Sequence, residues 1–169
     1  RTYIGQSFTM PAEAGTLTSL TVPGIRARSP YTGCVRAYFY TDTTKSTLLE
    51  TSNNALCDTD PSGTEFGGAE APGSFSFDDN TILSANTQYY FELRPSSGAS
   101  EFWTRQNYKA PGGEYGGGQI FVDGAFKPDY DMAFTLNYSE VQSYDLTFIS
   151  GSKGEGTVQN LTKTHGTNL

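Results

Sequence analysis

No apolar stretch of this chain runs for three helical turns before a glycine, a proline or a β-branched residue interrupts it. Under that constraint an amphipathic helix of useful length cannot form. What remains is a series of short apolar segments that alternate in and out and are separated by turn residues, the pattern of a β-sandwich or barrel. With 169 residues the chain is long enough for one domain with a sizeable core and too short for two of ordinary size. The expected fold is therefore all-β, a two-sheet antiparallel sandwich of about eight strands in which helix is a minor component.

The segments follow one another clearly. Ile4 to Met10 puts Ile4, Phe8 and Met10 on one face and ends at Pro11 to Gly15. Thr16 to Ile25 carries Leu17, Leu20, Val22 and Ile25, with Pro23-Gly24 marking a bulge or corner. Gly33 to Thr41 alternates Val35, Ala37 and Phe39 against Arg36, Tyr38 and Tyr40, the mark of a half-buried strand. Leu48 to Ser52 is a weaker segment, followed by a long acidic connection from Asn53 to Gly73. Phe75 and Phe77 mark the next strand. Gln88 to Arg94 aligns Tyr89, Phe91 and Leu93, and Phe102 to Asn107 forms a further short segment. Tyr108 to Gly118 is a glycine-dominated loop. Gln119 to Val122 and Ala125 to Lys127 flank Asp123-Gly124, the strongest hairpin signal in the chain, because both central residues of a type I′ turn need positive φ. Met132, Phe134, Leu136 and Tyr138 share a face in a strand expected to lie centrally. Residues 1–139 thus make up the sandwich.

Residues 140–169 differ. Tyr144 to Ile149 can still pair as a strand, but Ser150 to Leu169 is rich in Gly, Thr, Asn and Lys and has little to bury. Adding a strand to a neighbouring sheet edge would order such a segment and make it an assembly device; packing on its own domain is the alternative.

A formal charge of −7 repels the phosphate backbone of nucleic acid and anionic lipid alike. No apolar run is long enough to span a bilayer, so membrane insertion is not expected either. The only two cysteines, Cys34 and Cys57, stand beside predicted strands. A disulfide between them would stabilise the fold by roughly 3 kcal/mol in an oxidising compartment; a pair of buried thiols is the other reading. Two cysteines and the lone His165 do not make a structural zinc site.

Gly5-Gln6-Ser7-Phe8-Thr9-Met10-Pro11 and Gly15-Thr16-Leu17-Thr18-Ser19-Leu20 resemble the opening of jelly-roll modules found in bacterial surface proteins and in phage tail or fibre proteins. Ile82 to Phe91, Tyr115-Gly116-Gly117-Gly118 and Asp131-Met132-Ala133-Phe134-Thr135-Leu136 are similar to later strands and loops of the same modules, so the resemblance spans roughly residues 4 to 138. It implies a jelly-roll-like sandwich outside a cell or on a virion, often appended to a larger protein. It contains no chemical signature, and fold follows from it better than function.

Asp58, Asp60 and Ser62, followed by Gly63, repeat the oxygen spacing of a calcium loop. The pattern then breaks: Ala69 stands where a bidentate acid belongs, with Glu70 next to it. A solvated acidic loop is the alternative, and turn capping is the better account of Asp129 and Asp131. The acids Glu92, Glu101, Glu114, Asp129 and Asp131 have no spacing that fixes a carboxylate pair for glycoside hydrolysis. His165 has no Gly-x-Ser-x-Gly elbow to serve. No catalytic residue is assigned. Asn137-Tyr138-Ser139 and Asn160-Leu161-Thr162 match the glycosylation sequon, which matters only in a host that glycosylates.

Aromatic residues near the glycine-rich loop are more informative. Trp103, Tyr108, Tyr115 and Tyr130, with Arg105 among them, combine flat rings with planar hydrogen-bonding groups, which suits sugar faces; plugging the ends of the sandwich is the alternative. Two expectations result. The first is a non-catalytic structural or adhesive module of an extracellular assembly, a phage fibre or pilus-like filament, forming homo-oligomers or joining neighbouring subunits through its tail. The second is a carbohydrate-binding module that meets a glycan with its aromatic loops, with or without calcium.

Overall fold

In the computed structural model of the chain, the described residues are 3–23, 25–27, 33–58, 73–97, 102–103, 106–108, 117–128 and 130–141. For Arg26, Ala27, Asp58, Trp103 and residues 106–108 the backbone alone is described. The chain runs through β1 (Ile4–Thr9), β2 (Gly15–Val22), β3 (Arg26–Ala27), β4 (Gly33–Tyr40), β5 (Leu48–Thr51), β6 (Leu56–Asp58), β7 (Gly73–Ser76) and β8 (Ile82–Leu83). It continues with β9 (Gln88–Ser97), β10 (Phe102–Trp103), β11 (Gln106–Tyr108), β12 (Ile120–Val122), β13 (Ala125–Phe126), β14 (Tyr130–Met132) and β15 (Thr135–Glu140). Among the described residues there is no helix.

Two antiparallel sheets result. The large one has seven strands in the order β13-β12-β1-β9-β4-β5, with β6 also pairing β4. The small one has four, in the order β15-β2-β7, with β8 also pairing β2. Two short ribbons, β3 with β10 and β11 with β14, complete the fifteen strands. The all-β sandwich expected from the alternation is the observed fold, and the strands beyond the expected eight are mostly pairings of two to four residues.

Alternation decides which side chains meet between the sheets. Ile4 and Phe8 of β1, Val35, Ala37 and Phe39 of β4, and Phe91 and Leu93 of β9 join Leu17, Leu20 and Val22 of β2 and Phe75 of β7 in one buried cluster. The rings interlock. Phe8 lies 6.0 Å from Phe39 and 6.1 Å from Phe134, and Phe39 meets Phe77 edge-on at 5.1 Å. Each such pair adds about 0.5–1.5 kcal/mol to the burial of its area. Gln6 shares this interior and is satisfied there, its Oε1 accepting from the Met132 amide at 3.1 Å and its Nε2 donating to the Ser7 carbonyl.

Three expectations change in detail. The segment from Met132 to Tyr138 is not one central strand: it divides between β14 and β15, and β15 is the edge of the small sheet. The register of β15 on β2 shifts at Asn137 to Tyr138, so the alternation carries Phe134, Leu136 and Tyr138 only partly into the core. The connection after Asn53 contains β6, because Leu56 packs against the core and Cys57 pairs with Cys34. Phe102 to Asn107 supplies two short strands on different partners. The predicted strand at Tyr144 to Ile149 lies outside the described residues.

Candidate functional site

The side chains of β4 and β9 that do not enter the core form a second layer on the opposite face of the large sheet. Register places Tyr38 opposite Glu92, Tyr40 opposite Tyr90 and Arg36 opposite Arg94. On the other side of β9, Gly5 of β1 is opposite Glu92 and Phe121 of β12. Aromatic rings step from strand to strand across the sheet: Phe126 lies 6.0 Å from Phe121, Phe121 meets Tyr90 edge-on at 5.5 Å, and Tyr90 lies 6.2 Å from Tyr40. Gly5 makes the crossing of β1 possible, since a Cβ there would collide with the ring of Tyr90. The ladder runs from exposed to buried, with Phe126 44% exposed and Tyr90 1%.

Beside this ladder stands a buried charge. Glu92 is 0% exposed. Its Oε1 accepts from Lys45 Nζ at 2.9 Å and from the Tyr90 hydroxyl at 3.2 Å, while its Oε2 accepts from Arg94 Nε. Such a carboxylate tolerates burial because its oxygens are met by charged donors. Burial, reinforced by the charge of Glu92 and by the hydrogen bond to it, raises the Tyr90 phenol well above its usual value. Burial alone would lower the basicity of Arg94, but the hydrogen bond to Glu92 and its charge outweigh that and raise it. The Arg94 guanidinium also lies over two rings, 5.3 Å from the centroid of Tyr38 and 5.6 Å from that of Tyr40.

Lys45 reaches this layer from the turn between β4 and β5, where it adopts a φ of 60°. Asp42 builds that turn. Its carboxylate accepts from the Thr44 amide at 2.9 Å, from the Thr44 hydroxyl at 2.6 Å and from the Ser46 hydroxyl, and these bonds, Ser46 foremost, hold its carboxyl well below the usual range. The turn delivers the ammonium to Glu92 and places it 4.8 Å from the centroid of the Tyr3 ring. Arg36, from the same face of β4, is tied to the carbonyls of Ser52 and Asn53. Two cations held against one carboxylate, with a third close by and rings around them, make a preorganised polar and aromatic surface on the solvent side of a rigid sheet.

The residues singled out from the sequence fall elsewhere. Trp103 ends β10 opposite Arg26 of β3, and Tyr108 of β11 is directly opposite Tyr130 of β14, which is 39% exposed. The structure thus brings positions 108 and 130 together; Arg105 and Tyr115 lie outside the described residues. Of the calcium candidates, Asp58 is the last residue of β6, and Asp60, Ser62 and Glu70 lie outside the described residues. Among the described residues no group of three or more His, Cys, Asp or Glu side chains could hold a metal ion. Asp131 is buried in β14, while Asp129 lies outside the described residues. Cys34 and Cys57 are joined in a disulfide that ties β4 to β6 and fits an oxidising environment. Among the described residues no helix is long and apolar enough to cross a membrane.

Sequence reasoning identified the outward alternation of Arg36, Tyr38 and Tyr40, weighed Glu92 only among acids without a pairing distance, and gave Tyr90 and Arg94 no role. A signal was there: an acid and a base two residues apart on the polar side of an otherwise apolar strand face the same way. No protein-family model matches the sequence, and no curated protein matches it significantly.

Proposed function

We propose that this chain is a non-catalytic adhesive module of an extracellular assembly, on a cell surface or a virion, and that it holds a glycan with the outer face of its large sheet. The observation that carries the proposal is the aromatic ladder with the Glu92–Lys45–Arg94 cluster set beside it. The exposed Phe126 ring and the half-buried Phe121 and Tyr38 rings offer apolar area at low entropic cost, and fixed donors beside them give orientation. The disulfide supports an exterior location, and the resemblance to jelly-roll modules of surface and fibre proteins supports attachment to a larger structure. Assembly through residues 140–169 by strand addition belongs to the same proposal; what supports it is that the last described strand, β15, lies at a sheet edge.

A glycan array probed with the parent protein and with Tyr38→Ala and Phe126→Ala is the test. Saturable binding that weakens on truncating either ring is the expected result; no binding to any glycan would remove the adhesive assignment. A second reading places the glycan on the β11–β14 ribbon, and the direct pairing of positions 108 and 130 favours it. Under that reading Tyr130→Ala, and not Tyr38→Ala, abolishes binding.

A further inference from the structure

We infer that the glycan held on this face is acidic, a polysaccharide bearing uronate carboxylates, and that Arg94 is the residue that receives them. The inference rests on the adhesive reading above and narrows its ligand. Arg94 is bound to Glu92 through Nε, on one side of the guanidinium plane. Its two terminal nitrogens remain, and nothing among the described residues accepts from them. A guanidinium held in this way presents a planar pair of donors that matches the two oxygens of a carboxylate. Its side chain is 36% exposed, so a ligand can reach it. Tyr38 and Tyr40 beneath it restrict its rotation.

Charge points the same way. The protein carries −7, yet among the described residues of this face the cations Arg36, Lys45 and Arg94 stand around Glu92. Asp42 and Asp123 are engaged locally, Asp42 by Thr44 and Ser46 and Asp123 by the Tyr3 amide. A cationic surface on an acidic protein selects an anionic ligand over the protein's own kind and over neutral sugars. The carboxylate of a uronate is planar and sits on a sugar ring that can lie against an aromatic face, which fits both halves of the surface.

Titration calorimetry with polygalacturonate and alginate, with the methyl ester of polygalacturonate as the neutral comparison and dextran sulfate as the sulfated one, tests the inference. Acid forms are expected to bind, and esterification and Arg94→Lys are each expected to weaken binding by about tenfold or more, as loss of a paired charge-assisted contact would. Arg94→Lys keeps the charge and removes the planar donor pair, whereas Lys127→Gln removes one unit of charge away from the cluster and is expected to change affinity by about twofold at most, through screened attraction alone. Thermal unfolding of each variant confirms that it is folded. Equal binding of ester and acid, equal damage from Lys127→Gln, or tighter binding of dextran sulfate overturns the uronate assignment while leaving the adhesive module standing. Failure of every glycan, neutral or charged, removes both.

Discussion

Gly5 is a position at which the solvent side of the large sheet depends on the absence of a side chain. Tyr90 lies across β1 at this point, packed on Phe121 and donating to Glu92, and any Cβ on residue 5 meets its ring. The alternatives are displacement of a buried ring, with loss of its bond to Glu92, or a shift of β1 against β9. Gly5→Ala is therefore expected to destabilise the protein by about 1–3 kcal/mol, the usual cost of overpacking, measured by urea denaturation, and to weaken glycan binding in the same variant. The glycine is visible in the sequence, but its reason is not. Its neighbour Tyr90 is eighty-five positions away, and only the antiparallel pairing of β1 with β9 brings them together. Glu92 is obscure in part for the same reason, since one of its partners, Lys45, arrives from a distant turn.

Elements with local causes were the legible ones. The β12–β13 hairpin turns at Asp123 and Gly124, with φ of 49° and 79°, as a type I′ turn requires. The strands β1, β4 and β9 follow their alternation, because the apolar set of each lies on the face toward the core cluster and a one-residue slip would turn it away. The strands β6 and β15 were obscure because their roles come from partners: β6 is short and is fixed by its pairing with β4, and β15 is an edge through the order of the small sheet. Two expected outcomes belong to these elements. Reduction of the Cys34–Cys57 bond, which closes a loop of sequence separation 23, is expected to cost about 3 kcal/mol by loop-closure entropy. Urea unfolding with and without reductant measures it, and an unchanged midpoint would show that β6 is held by packing alone. A chain ending at Val141 retains every described core residue and the Val141 to Ala14 bond that closes β15, so its thermal midpoint is expected to match the parent's. Its mass in solution then reports on residues 142–169: a monomer from an oligomeric parent supports assembly through the tail, and an unchanged oligomer assigns cohesion to the sandwich.

At the scale of the molecule, the two sides of the large sheet answer differently to pH. The side facing the core carries aliphatic and aromatic groups and one neutral amide, Gln6. The outer side carries Tyr90, whose folded pKa is raised above its unfolded value of about 10. Below that value the phenol is protonated in both states and its contribution to stability is intact; above it the unfolded chain releases a proton that the folded chain retains, and stability falls as pH climbs toward the folded pKa. The limiting slope for one such group is about 1.4 kcal/mol per pH unit, and Tyr40, raised by its own burial, adds to it. Asp42 has the opposite sign. Its folded pKa lies below the unfolded one, so its contribution is present above about pH 4 and is lost as pH falls toward the folded value. Thermal midpoints followed from pH 2 to pH 11.5 are therefore expected to form a plateau with a loss on either side. Tyr90→Phe, despite removing one hydrogen bond to Glu92 at neutral pH, is expected to flatten the alkaline loss, and Asp42→Ala the acid one. An alkaline limb equally steep in Tyr90→Phe would place the titrating group elsewhere and separate the stability of the outer layer from the ring that spans it.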